Sequence, residues 1–416
     1  MEHLTTRHRW TALLALALGG AAIGLTEFAA MGLLPEIAQD LLGAGSATEV
    51  AHAGWTITAY ALGVVAGAPL IAALTTRWHR KRLVLGLLVL FVAGTAASAL
   101  APTFGLVLVA RFVAALPHGA YFGAAGLLAA SLMGPGREAR GYAAVLSGLT
   151  IANLVGVPAM TSLGQAAGWR ASYAVIAGVF LLTLLAVAVS VPEIPAVATG
   201  SARAELRTLA RPQVWLVAAT VAIGFSGFFA VNSYIAPVTT EVTGLSNGAV
   251  PWVLVAFGLG MTVGNALGGW FADRDLRRAL LLGFTAVIAA ILFFALFADT
   301  TPGLFAGAFL VGATSLFLGP ALQARLITVA PGAQLMGAAI NQSAMNVANS
   351  IGAAVGGLVI ARGLGYLAPA WTGLALSVAG LLMAALSFRL DRERTAPGDA
   401  QRSAAVPTPS GQQRAG

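Results

Sequence analysis

Two charges stand inside long apolar runs. Glu27 lies in a predominantly apolar stretch from Trp10 to Leu34, and Arg111 in another that opens at Phe104. Glu27 precedes Leu34 by seven residues and Arg111 follows Phe104 by seven. At about 1.5 Å of rise per helical residue, both sit about 10 Å inside the same boundary. An ionised side chain at the centre of a membrane helix costs about 2.5–3.5 kcal/mol on insertion scales, so such groups face a cavity or pair with one another. Two chemistries fit. A snorkelling or statically paired couple would only hold helices; alternatively, Glu27 exchanges protons, because burial favours a neutral carboxyl and a neighbouring cation an ionised one. We favour exchange.

His118 lies two turns beyond Arg111, directly after Pro117, which should kink the helix, and Tyr121 follows one turn later. A histidine there serves either as a proton relay or substrate ligand, or as a packing residue bonded to a neighbour. Gln342, Asn346 and Asn349 recur at i, i+4 and i+7, flanked by Ser343 and Ser350. Such a polar stripe contacts substrate or knits helices, the latter at about 0.6 kcal/mol per bond. Tyr60, Asn153, Asn232, Ser233, Tyr234 and Asn265 are further cavity candidates. Gly148, Gly156, Pro158 and Gly164 allow close helix approach and a bend. The segment Gly269 to Arg278 places Asp273 at a helix end before Arg274, Arg277 and Arg278; with Arg77 and Arg80 in the corresponding earlier loop, it offers charges that could latch helices.

The elements that must position these groups follow from composition. Of 416 residues, 58% are hydrophobic and 9% charged, where a soluble domain carries about 25% charged residues. Apolar runs occupy about 10–34, 51–76, 83–100, 104–132, 141–165, 171–190, 213–236, 250–272, 279–298, 303–329, 335–361 and 368–388. Each is long enough for a membrane helix. The expected organisation is an N-terminal segment 1–9, a six-helix bundle 10–190, a linker 191–212, a second six-helix bundle 213–388 and a disordered tail 389–416. Twelve crossings put both termini on one side, and 20 of the 23 cations fall there, which marks it as cytoplasmic. The net charge of +8 is therefore topological and no sign of nucleic-acid binding.

Internal repetition joins the halves. Trp55, Ala59, Leu62, Gly63, Gly67, Leu70 and Arg77 recur 197 residues later as Trp252, Ala256, Leu259, Gly260, Gly264, Leu267 and Arg274. Parallel duplication of six helices is one transporter architecture, with substrate bound between the halves. Other classes lose their requirements. The chain has no cysteine for disulfide, thiol or cysteine-metal chemistry, its one lysine, Lys81, stands in no phosphate-binding loop, and five scattered histidines form no acid–base or metal constellation. The expectation is no enzyme and no cofactor.

These residues resemble the major facilitator superfamily, in particular its twelve-span drug:proton antiporters of the arabinose-efflux and chloramphenicol-exporter group. Gly269 to Arg278 matches the G-x-x-x-D-R-x-x-R-R signature; the first-half copy departs from it, with Ala72 and Thr76 in place of Gly and Asp. Arg111-Phe112 resembles the fourth-helix proton-coupling motif, Thr26-Glu27-Phe28 through Pro35 the first-helix exporter signature, and Gly148, Gly156 and Pro158 the fifth-helix antiporter motif. The resemblance implies an all-α fold of two pseudo-symmetric six-helix bundles in a bacterial cytoplasmic membrane. It further implies proton-coupled efflux by a monomer whose partners are a small molecule, protons and the bilayer. A proton-coupled uptake symporter and a transport-inactive sensor are the alternatives.

Overall fold

The computed structural model describes residues 6–43, 45–75, 78–133, 138–193, 210–330 and 334–395. Arg77, most of the inter-bundle linker and the tail from residue 396 lie outside them. Among the described residues every regular element is helical, and twelve helices are long and apolar enough to span a membrane. They are α1 Thr6–Gly32, α2 Ala47–Gly67, α3 Arg80–Leu100, α4 Phe104–Met133, α5 Ala143–Ala167, α6 Trp169–Ser190, α7 Pro212–Ser233, α8 Asn247–Ala272, α9 Leu276–Phe297, α10 Thr301–Val329, α11 Ile340–Ala361 and α12 Ala368–Asp391. The side of the membrane at which α1 begins and α12 ends is here the terminal side, the other the distal side. Several helix starts are capped as the sequence provides: Thr103, Asp275 and Thr300 accept the N–H of Leu106, Arg278 and Gly303.

Within each bundle, glycines bring backbones into direct contact. A Cβ on Gly63 or Gly67 of α2 would run into the carbonyl oxygens of Phe112 and Leu116 of α4. One on Gly260 or Gly264 of α8 would run into those of Phe309 and Ala313 of α10. The contacted carbonyls are related by the same 197-residue offset as the glycines, so the duplication extends from sequence to packing.

Three proline-dependent features shape the spans. In α4, Leu116 and Pro117 separate helical segments Phe104–Ala115 and His118–Met133, which is the expected kink. In α5, Pro158 has no N–H to give Leu154, and the chain widens into a π turn over Ala152–Gly156, where the Val157 N–H reaches the carbonyl of Ala152, five residues back. After α1, the reading of one helix to Leu34 is corrected: α1 ends at Gly32 and a short helix Leu34–Leu42 begins with Pro35 in its first turn. It buries Leu34, Ile37 and Ala38 and is held by Asp40, which pairs with Arg170 and accepts the indole N–H of Trp169 at 3.0 Å.

The end of the second bundle also differs from expectation. The last helix continues to Thr395, so residues 389–395, assigned to a disordered tail, are helical. Asp391 accounts for the extension: it takes Nη2 of the buried Arg325 at 2.5 Å and the Gln213 amide at 3.1 Å, while Ser387 accepts from both residues at 2.8 Å. Arg325, counted among the terminal-side cations, is also a structural residue.

If the glycine contacts set the bundle packing, Gly264→Ala should lower the thermal unfolding midpoint in detergent by the equivalent of about 1–3 kcal/mol. Gly178→Ala in α6, where an added Cβ meets nothing within 4 Å, should match or slightly exceed wild type. Equal melting of both variants would show that the α8–α10 approach tolerates a methyl group.

Candidate functional site

The site is organised by Arg111, which is completely buried. Its Nη1 donates to the carbonyl of Thr26 at 2.5 Å and to the Thr26 hydroxyl at 3.2 Å, and its Nε donates to the carbonyl of Thr56 at 3.4 Å. The guanidinium lies 4.4 Å from the ring centre of Tyr60 and 5.4 Å from that of Tyr173, within the range where a ring face attracts a desolvated cation. Three spans thus converge on one charge from α4: α1 through Thr26, α2 through Thr56 and Tyr60, and α6 through Tyr173. Nη2 remains buried without a hydrogen-bond partner.

Glu27, one residue from the Arg111 contact, is also buried. The two charges occupy one level of the bundle, as the spacing predicts, yet they form no ion pair at 4.0 Å or less. Glu27 instead accepts the Asn349 side-chain amide at 3.3 Å. Asn349 belongs to α11, so this bond crosses from one bundle to the other. A second crossing runs through His118: its Nδ1 meets the Tyr60 hydroxyl at 3.3 Å and its Nε2 meets the Gln342 amide at 3.4 Å. Tyr60 therefore touches Arg111 with its face and His118 with its hydroxyl. A third crossing joins Ser350 to the Thr58 carbonyl at 3.4 Å. The polar stripe of α11 is this seam. Asn346 lies on it with its amide turned to its own helix, on the Gln342 carbonyl at 2.9 Å.

On the other flank, Asn153 and Asn232 face one narrow cleft with Phe28, Leu254, Phe257 and Met261, with a cavity volume of about 10 Å³. The Asn153 amide is bonded to the Leu149 carbonyl at 3.0 Å, and the Asn232 amide meets the Met31 sulfur at 3.0 Å, again across the bundles. Tyr121 and Tyr234 stand apart from the charges. The Tyr121 hydroxyl donates to the Leu16 carbonyl at 2.9 Å and fills the space beside Gly19, so it packs α4 on α1. The Tyr234 hydroxyl donates to the Ala353 carbonyl at 2.7 Å beside Gly54 and Gly357, at the distal end of the seam. There, too, the Gln165 amide reaches the Asn247 carbonyl at 2.9 Å. These bridging contacts run from mid-membrane to the distal ends.

The bend residues divide their work. Gly148 and Gly156 let α5 lie against Ala17 and Leu25 of α1, and Pro158 closes the π turn. That turn meets the other bundle, where Gly258 of α8 leaves room for the Asn153 carbonyl and Leu154. The charged loop after α8 is occupied locally. Arg274 stacks 3.3 Å from the centre of Trp270, Asp275 pairs with Arg278 at 3.2 Å, and Arg277 lies 5.9 Å from the Phe388 ring. Gly269 has open space around it, and Asp273 is exposed at the end of α8. Arg80 opens α3 on the same side. Sequence reasoning missed Thr26, Thr56 and Tyr173 as partners of Arg111. Two of these contribute backbone carbonyls, a group every residue carries, and no side-chain pattern marks them.

The family model described as Major Facilitator Superfamily matches residues 16–250 and 225–413. The chain is 36% identical over 384 residues to the inner membrane transport protein YdhP of Escherichia coli (strain K12), covering 92% of this chain and 97% of that protein. It is 35% identical over 399 residues to the chloramphenicol resistance protein of Streptomyces lividans, covering 94% and 99%. The crystal structure of a D-xylose–proton symporter superposes with a TM-score of 0.72 at 17% identity, over 90% of this chain and 97% of that one, a likeness of fold.

Substitutions at Tyr60 should separate the roles of its ring and its hydroxyl. Tyr60→Phe keeps the face beneath Arg111 and loses only the His118 contact, whereas Tyr60→Leu removes both. Tyr60→Leu should unfold below Tyr60→Phe by the equivalent of about 2 kcal/mol, the scale of a desolvated cation–π contact. Coincident melting curves for the two would remove the ring from the account of how Arg111 is held.

Proposed function

The chain belongs to the major facilitator superfamily, and from that premise we propose that this membrane transporter expels a small molecule in exchange for protons by alternating access. The observation that carries the proposal is the position of Glu27. It is a buried carboxyl at the seam of the two bundles, bonded to the opposite one and close to a buried guanidinium with an unpartnered nitrogen. A group so placed changes its partners whenever the bundles rock, and its affinity for a proton changes with them. Protonation of Glu27 and binding of substrate compete, so inward proton flow drives substrate out.

In this reading both termini are cytoplasmic, in keeping with the 20 cations on the terminal side. The distal contacts then close the outer face, and the loop after α8, with Asp273, Arg274 and Arg278 occupied locally or exposed, joins the latch only when the cytoplasmic face closes. The substrate site forms where Asn153 and Asn232 face each other, in a cleft of about 10 Å³ that widens as the bundles part, and its amides and aromatic walls suit a neutral amphipathic molecule. The chloramphenicol resistance relative supports export. Uptake with protons is the second reading, which the same fold permits. The sign of substrate-induced proton movement separates the two.

Glu27→Gln should reduce substrate flux driven by an imposed pH gradient in vesicles by at least about tenfold, an effect of about 1.4 kcal/mol or more. Chloramphenicol is the first probe, followed by a panel drawn from a resistance screen of cells lacking and overproducing the protein. Undiminished gradient-driven flux in the variant would falsify the coupling role of Glu27.

A further inference from the structure

Asn349 is completely buried, and only half of its amide is used. Its Nδ2 donates to Glu27 Oε1 at 3.3 Å, while its Oδ1 is buried with no donor to satisfy it. A buried unpaired acceptor is costly and rare in a folded protein, so its presence beside a carboxyl calls for an explanation. A carboxylic acid and a primary amide are complementary: the acid carbonyl accepts the amide N–H, and the acid O–H donates to the amide oxygen. An ionised carboxylate offers acceptors only and can form one of these two bonds. The Asn349 amide is therefore set for an acid that carries its proton.

A second unpartnered atom completes the arrangement. Arg111 Nη2 is a buried donor without an acceptor, on the side chain bonded to Thr26. The charged and titratable groups around Glu27 are Arg111 from α4 and Tyr60 from α2, with Tyr173 of α6 beyond Arg111 and His118 beyond Tyr60. Of these, Arg111 Nη2 is the donor left open to an ionised carboxylate.

We infer that Asn349 is a positioning residue that reads the protonation state of Glu27 across the seam between the two bundles. With the proton on, Glu27 and Asn349 are joined by two hydrogen bonds, and the distally closed arrangement is stabilised. With the proton lost, one bond goes, the carboxylate turns toward Arg111 Nη2, and α11 is released from α1. This assignment rests on Glu27 being the proton-exchanging group, and it holds for either direction of transport.

The test uses the full chain in liposomes. Because the protein has no cysteine, Thr48→Cys and Leu364→Cys introduce labels at exposed distal positions of the two bundles without background. Electron-resonance distances between spin labels at these sites report whether the distal side is closed. They would be recorded from about pH 9 to about pH 5, a range wide enough to ionise and protonate a buried carboxyl. In the otherwise unaltered protein, acidification should raise the ratio of short to long distances by about threefold to tenfold, the worth of one hydrogen bond. Glu27→Gln, whose amide can make both bonds to Asn349 without a proton, should hold the short distance at every pH. Asn349→Leu should abolish the pH response, and adding it to Glu27→Gln should release the lock; Asn349→Ala serves the same purpose if the leucine variant does not fold. A wild-type pH response in the Asn349 variants, with Glu27→Gln unresponsive, would overturn the role of Asn349 alone. A wild-type response in Glu27→Gln would overturn the coupling reading on which it rests.

Discussion

A guanidinium held away from water must be surrounded by oxygen atoms and ring faces, and in this chain that requirement arranges the first bundle. Arg111 draws the Thr26 and Thr56 carbonyls and the rings of Tyr60 and Tyr173 to one point, so α1, α2 and α6 are placed relative to α4 by a single residue. Hydrocarbon supplies no competing partners, and each contact must come from the protein. The same requirement explains the second bundle's buried cation, Arg325, which is met by Ser387, Asp391 and the ring of Phe388. Each bundle is thus pinned by one arginine, at different depths: the first within reach of the seam, the second at the terminal end of its own helices.

Between the bundles the contacts are of another kind. They are hydrogen bonds of amides, hydroxyls and an imidazole, at 3.3–3.4 Å along the polar stripe of α11 and at 2.9–3.0 Å beside Met31 and at the distal end. Bonds of this sort in membrane proteins contribute about 0.6 kcal/mol each on average, far less than the cost of stripping a buried arginine of its partners. Strong interactions within bundles and weak ones between them are what a molecule needs if its halves are to stay intact while their relation changes. Glu27 and His118 are the members of the seam whose hydrogen-bonding capacity depends on a proton, which concentrates chemical control at two side chains.

Much of this was legible in the residues. Length and hydropathy locate twelve spans because each must cross a fixed thickness of hydrocarbon. The recurrence of Gly63 and Gly67 as Gly260 and Gly264 carries the duplication because only glycine permits those backbone contacts. Counting from run boundaries put Glu27 and Arg111 at one depth, since helical rise is constant. What escaped notice depends on long-range partners. Whether Glu27 meets Arg111 or Asn349 is decided by how α11 packs, across 322 residues of chain. The end of α12 is set by Arg325, which sits two spans earlier. The helix Leu34–Leu42 has a local signal, Pro35 in its first turn among apolar positions 34, 37 and 38, but the apolar run that precedes it masks the break.

The π turn of α5 acquires a mechanical meaning in this setting. Helices that touch backbone to backbone, as α2 with α4 and α8 with α10, behave as stiff members, because any relative slip drives carbonyl oxygens into Cα atoms. When stiff and compliant members act in series, displacement accumulates in the compliant one. Residues 152–156 have already surrendered the regular ladder, and their Asn153 carbonyl rests against Gly258 of the other bundle. In the proposed alternation of the bundles, the wide turn would serve as a flexure at the bearing surface, where a small change in one helix's pitch becomes a tilt between two blocks.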